Sequence, residues 1–213
     1  MELMKSIFTG ILLAVAVLFF TTALGLSVIQ LTGFPYSVDI DYLKISESSG
    51  LTREEVRENY DAIMDFLSPF SAKEFSLPTI SFSDRAAKHF EDCKPLFNAV
   101  YILGAVSALI LALLAATKSI GKTTLRVSSA VTLALPALIG VAVASDFDRS
   151  FTLFHKLFFE GSTWIFDPQL DSFILIFPSE FFMHCAIFIA LFWVLGAMVQ
   201  LTAGYLKREI RKI

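Results

Sequence analysis

Charge is scarce in this chain: only 17% of its 213 residues are Asp, Glu, Lys or Arg, and the formal net charge is −3. Nothing resembles the basic face a nucleic-acid binder needs, so no nucleic acid is expected as a partner. Cysteine is nearly missing, and Cys93 and Cys185 stand far apart in no metal or redox spacing. Histidine occurs three times, as His89, His155 and His184. These three with Glu180 could be imagined as a metal set, but there is no HExxH and no close His/Cys pairing. No metal and no cofactor is therefore expected. A G-x-S-x-G elbow is also absent, which removes that class of serine hydrolase.

Apolar residues are abundant. They make up 55% of the chain, with 22 phenylalanines, and the mean hydropathy is +0.68. A soluble protein cannot hide that much apolar surface, so the chain is expected to be integral to a membrane. Four runs are long enough to span it: 7–29, 96–117, 127–145 and 181–206. The first follows Lys5 and contains a passable cleavage site near Ala23-Leu24-Gly25, yet it is too long for a signal-peptide core and reads as an anchor. Pro136 inside the third run is expected to kink it.

The basic residues orient these runs. Lys5, Lys118, Lys122, Arg126, Lys207, Arg208, Arg211 and Lys212 all fall on one side, in short segments, which the positive-inside rule makes cytoplasmic. Eighteen of the 20 acidic residues then lie in the two loops on the other side. The expected organisation is a membrane helix in 1–29, an extracellular module in 30–95, and two membrane helices in 96–145 joined by the basic loop 118–126. An interfacial aromatic loop follows in 146–180, then a fourth helix and basic tail in 181–213. The fold class is an all-α integral membrane protein with four transmembrane helices and a small, mainly helical extracellular cap formed by the two outer loops. Both termini are expected in the cytoplasm of a cell-membrane protein.

In the first outer loop, Val38, Ile40 and Tyr42 alternate and suggest a short strand. Thr52 and Glu55 form a capping box, opening a helix to about Leu67 with the stripe Val56, Tyr60, Ile63, Met64 and Leu67. Pro69 should stop it, and Pro78 should keep 75–82 extended.

Two clusters could carry chemistry. Ser83 can cap a helix on which Arg85, His89 and Asp92 share one face, at i, i+4 and i+7. Either this is a helix-end salt bridge with a solvated histidine, or Asp92 fixes the imidazole while Arg85 faces a developing negative charge. Cys93, one turn from His89, could be a thiol nucleophile. The second cluster is the aromatic stretch 151–182, which holds nine phenylalanines and Trp164. A helix over about 148–160 would put His155 within a phenylalanine face, as suits backbone in the headgroup layer. His184 and Glu180 sit one turn apart on the fourth run, shallow enough to reach the interface.

These stretches resemble a known family. SFSDRAAKHFEDCKPLF and FHKLFFEGSTWIFDPQLDSFILIFPSEFF are similar to the two signatures of the lipoprotein intramolecular transacylases, four-pass membrane proteins of Gram-positive bacteria. The matching positions are Arg85, His89, Asp92 and Lys94, then Phe154-His155, Phe158-Phe159, Trp164, Asp167-Pro168, Asp171, and Phe177-Pro178 through Glu180-Phe181-Phe182. Cys93, Ala86-Ala87 and His184 depart from the pattern. The resemblance implies an acyltransferase that moves the sn-2 acyl chain of a diacylglyceryl lipoprotein to the α-amine of its N-terminal cysteine, leaving a lyso-form. The partners implied are that lipoprotein and membrane lipids, with no soluble acyl donor. For that reaction His155 is assigned as general base and proton shuttle, with His89 and Arg85 as orienters and oxyanion stabilisers and Asp92 holding His89; the reverse assignment of the two histidines stays open. Trp164, Phe154, Phe158 and Phe159 would line the acyl groove, with Asp171 and Glu180 also in the substrate site. Two other classes stay open: a non-enzymatic four-pass binding or assembly protein, and an intramembrane lipid hydrolase.

Overall fold

A computed structural model describes residues 1–117 and 120–210. Lys118, Arg211 and Lys212 of the expected basic segments lie outside the described residues, as do the side chains of Lys207 and Arg208. The described chain is helical: α1 (Glu2–Thr32), α2 (Tyr36–Tyr42), α3 (Ile45–Ser49), α4 (Arg53–Phe66), α5 (Asp84–Thr117), α6 (Lys122–Ser145), α7 (Phe147–Phe158) and α8 (Ser179–Ile210). A 3-10 turn, Ser172–Ile176, precedes α8. Helices α1, α5, α6 and α8 are long and apolar enough to cross a membrane.

The chain divides into two compact units. The first comprises Met1–Leu26, Val100–Val141 and Ile187–Ile213. Here α1 approaches each of the other three long helices. A Cβ on Gly10 would meet Val127 of α6 at 2.8 Å, and one on Gly104 of α5 would overlap the Ala23 methyl. Small residues permit that approach where lipid supplies no hydrophobic drive between helices. Polar side chains add to the packing. Trp193 Nε1 donates to Thr22 Oγ1 at 2.8 Å, and Ser129 Oγ to the Ala197 carbonyl at 3.1 Å.

The second unit comprises Ser27–Ala99 and Ala142–Ala186. Its α4 opens on the expected box: Glu55 N donates to Thr52 Oγ1 while Thr52 N donates to the Glu55 carboxylate. The helix ends at Phe66, and Val56, Tyr60, Ile63 and Leu67 are buried, with Met64 half-buried. Residues 75–82 hold neither helix nor strand, and a bend at 78–80 breaks the continuous extended run expected of Pro78. The strand expected over 38–42 does not form; α2 takes its place. Over seven residues both periods fit the sequence. The helix wins because it buries Tyr36, Asp39 and Ile40 together, at i, i+3 and i+4. The Tyr36 ring stacks on Tyr60 at 4.0 Å between centroids, and its hydroxyl donates to the Ile176 carbonyl at 2.8 Å. That bond ties the first loop to the 3-10 turn of the second.

Candidate active site

Three segments of the second unit bring the site together. The first is the polar start of α5. Ser83 Oγ accepts the Ala86 N–H at 3.3 Å, and the Ser83 N–H donates to Asp171 Oδ1 at 2.8 Å. Asp171 is buried, so its carboxylate anchors the start of α5 to the second loop. The second segment is α7, which begins when Asp146 accepts the Arg149 N–H at 2.9 Å. Its helical span, 147–158, stops two residues short of the expected end at Glu160.

His89 from α5 and His155 from α7 meet. Their ring centroids are 5.8 Å apart and the planes differ by 29°. Both are buried, at 7% and 8% exposed. Phenylalanines enclose them: Phe159 lies 4.7 Å from His89 and 5.5 Å from His155, Phe166 packs on His89, and Phe151 on His155. Trp164, on the turn that follows, lies 5.1 Å from His155.

Hydrogen bonding fixes one tautomer. His155 Nδ1 is 2.8 Å from the Phe151 carbonyl, which can only accept. The proton therefore sits on Nδ1, and Nε2 presents a lone pair. Burial holds the His155 imidazole below its ordinary range, and the bond to Phe151 partly opposes that. A neutral imidazole with its basic nitrogen exposed to the site is the result. Two imidazoles this close would repel one another if both were charged, which also favours the neutral form.

The other expected residues take varied positions. Arg85 does not face the histidines as a free cation; its Nη1 donates to the Ile165 carbonyl at 3.2 Å. Asp92 does not hold His89. It accepts from Lys88 Nζ at 2.8 Å, an i, i+4 pair on the same helix that competes for the carboxylate. The nitrogen His89 Nε2 instead lies 3.6 Å from Cys93 Sγ. Phe159 is buried against both rings, whereas Phe154 and Phe158 are each 49% exposed and form an outward face. Glu180 is exposed and hydrogen-bonds only its neighbour Ser179 among the described residues. His184 lies elsewhere: Nδ1 meets Asp39 Oδ1 at 2.8 Å, pinning α2 to α8. Among the described residues, no three His, Cys, Asp or Glu come together as metal ligands.

Sequence reasoning missed three polar features. His89 Nδ1, Thr163 Oγ1 and Trp164 Nε1 are buried with no hydrogen-bond partner among the described residues. Leaving such an atom unsatisfied costs about 1–3 kcal/mol, so each is a position that a bound polar group would satisfy. Thr163 carried no sequence signal beyond standing next to Trp164.

Asp92→Asn should leave the rate of the acyl transfer that the resemblance implies within about threefold of the parent, since its pair with Lys88 is a partly exposed ion pair of the kind that contributes little. Initial rates on a lipopeptide substrate check this, and a hundredfold loss would return Asp92 to the site.

A family model described as lipoprotein intramolecular transacylase Lit matches residues 7–182. This chain belongs to the Lit family. The structure is similar to that of the membrane-integral Lit of Bacillus cereus, with TM-score 0.88 and 29% identity over 98% of this chain and 99% of that one. Two further structures of the Bacillus cereus Lit carry a replaced histidine, one by arginine and one by alanine. They match at TM-scores 0.82 and 0.77, again over 98% of this chain. An uncharacterized protein of Aquifex aeolicus is 27% identical over 136 residues, a match spanning 62% of this chain and 60% of that protein. Together with four apolar helices, the Lit match makes this a multi-pass membrane protein of an acyltransferase family.

Proposed function

We propose that this chain transfers the sn-2 acyl group of a diacylglyceryl lipoprotein to the α-amine of the same molecule's N-terminal cysteine. The observation that carries it is the His155 tautomer beside His89: a buried base with one available nitrogen, in an aromatic enclosure. In the reaction, the amine nitrogen attacks the ester carbonyl carbon and a C–N bond forms. His155 Nε2 takes the amine proton. The tetrahedral intermediate collapses, the bond to the glycerol oxygen breaks, and the imidazolium returns the proton to that oxygen. The products are an amide and a free sn-2 hydroxyl.

An ester becomes an amide, so the step runs downhill without a soluble acyl donor. Both reacting groups belong to one molecule, and holding them aligned supplies several kcal/mol of the barrier. The amine's reference pKa of about 7.7–8 is within reach of an imidazole base. His89 orients the glycerol oxygen, and Arg85 braces the turn carrying Trp164 through the Ile165 carbonyl. The phenylalanine walls favour a tethered amine over water, which supports transfer above hydrolysis.

Orientation belongs to the same reading. The termini and residues 118–126 face the cytoplasm, residues 30–95 and 146–180 form an outward cap, and the site lies at the outer leaflet. A reporter fused after Gly121 should read as cytoplasmic and one after Gly161 as exported; reversed readings would sink this topology.

Purified protein in vesicles, given a diacylglyceryl lipopeptide, should yield a product of unchanged mass whose fragments place the acyl chain on nitrogen. Free fatty acid with a lyso-lipopeptide of free amine would establish a hydrolase instead.

The His155 imidazole should titrate below about 6.5, the ordinary histidine value. The sign follows: burial disfavours the cation, so the base stays neutral to lower pH than a solvated histidine. The unfolded chain takes that proton more readily, so this group weakens the fold as pH falls below about 6.5. Selective isotope labelling of histidine, read by NMR against a His155→Gln reference, checks it. A midpoint above 6.5 would contradict the burial argument.

A further inference from the structure

We propose that the oxyanion of the tetrahedral intermediate is received by the turn Ser162–Ile165, through the indole N–H of Trp164 and the hydroxyl of Thr163. The assignment rests on the acyl-transfer reading above. It displaces Arg85 from the role its charge suggests, because Arg85 is exposed and its Nη1 is engaged at the Ile165 carbonyl.

The turn is closed by its own backbone, with Ile165 N donating to the Ser162 carbonyl at 3.1 Å. Thr163 and Trp164 are its two central residues, so their side chains leave from adjacent positions of one rigid bend. Arg85 grips the far end of that bend from α5, the helix that also carries His89. The turn and the two histidines are thus held in one frame.

Both donors are buried and lack a partner among the described residues. Other buried polar atoms share that state, the Tyr60 hydroxyl among them, but these two adjoin His155 through the Trp164 ring, and a reacting oxygen that becomes negative supplies the missing acceptor. The Trp164 ring contacts the His155 imidazole, and Nε1 belongs to that ring, so donor and base share one small volume. Donors in a water-excluded site act more strongly on developing charge than the same groups in water. As the amine attacks, the carbonyl π electrons move onto oxygen and these two donors bond that oxygen. As the glycerol oxygen leaves, the pair returns and the bonds relax to those of a neutral amide carbonyl.

The test uses the full-length protein in vesicles with a diacylglyceryl lipopeptide. Trp164→Phe removes the N–H together with part of the ring bulk, so benzothienylalanine at 164, isosteric with tryptophan but without the N–H, is its packing control; both should lower kcat by about 10²–10³-fold while KM changes little. Thr163→Val should also lower kcat, and Thr163→Ser should restore most of the loss. Thermal unfolding and the His155 titration should match the parent in the benzothienylalanine and Thr163 variants, which a packing defect would not permit. In a second arm, a lipopeptide with a phosphonate in place of the sn-2 ester mimics the tetrahedral anion and is measured by binding alone. It should bind Trp164→Phe at least tenfold more weakly than the parent. Parental kcat in Trp164→Phe, a change confined to KM, or equal phosphonate binding would overturn the assignment while acyl transfer stood. A parent that forms no N-acyl product would overturn both.

Discussion

His155→Gln should abolish N-acyl product in cells while the protein still accumulates in the membrane. Glutamine is close in size and keeps a hydrogen-bonding end, so the phenylalanine enclosure stays filled. What it loses is a nitrogen that can take and return a proton. The Nδ1–H bond to the Phe151 carbonyl leaves Nε2 as the only basic atom of that ring, so nothing within it substitutes. Loss of one positioned acid–base group typically lowers rate by about 10²–10⁴-fold. Cys93→Val is the companion variant. Its sulfur is 3.6 Å from His89 Nε2, a loose contact, and it is not needed for a direct amine attack. Valine is close in volume, so activity should stay near parental. The mass of a reporter lipopeptide co-expressed with each variant decides both. An active His155→Gln refutes the base, and an inactive, folded Cys93→Val would establish an acyl-thioester route.

The second large effect concerns the scaffold. Tyr60→Ala should destabilise the second unit by about 3–5 kcal/mol, the range for removing a fully buried aromatic ring. The ring stacks on Tyr36 and touches Phe177 and Phe181, so its loss opens a cavity between the two loops. Tyr60→Phe should do nearly nothing, or stabilise slightly, because the Tyr60 hydroxyl is buried with no partner among the described residues. Thermal unfolding in detergent separates the two. Equal losses in both variants would mean the hydroxyl, not the ring, holds the unit together.

The sequence exposed some of this and concealed the rest for physical reasons. The four membrane helices were visible because runs of apolar residues have no other stable solution in a chain this poor in charge. The α4 box was visible because its two partners stand three residues apart. His155 showed its burial through its phenylalanine neighbours at helical spacing. Spacing failed where several partners compete locally. Asp92 lies on the face of His89, yet Lys88 stands one turn away and takes its carboxylate. Contacts between loops left no trace either: Asp39 finds His184, and Ser83 finds Asp171, across stretches no periodicity can read. The orphaned hydroxyl of Thr163 could be recognised only once the surrounding atoms were placed.

The origin of the His155 tautomer bears on how the protein tolerates mutation. A catalytic imidazole oriented by a carboxylate can be disarmed at two positions, the histidine and the acid. Here the orienting acceptor is the backbone carbonyl of Phe151, four residues back on the same helix. No side-chain substitution deletes a carbonyl. The proposed base is therefore exposed to genetic failure at one codon, its own, unless a change breaks α7 itself. A proline introduced at 155 would remove both at once, whereas exchanging Phe151 for another helix former would leave the base armed.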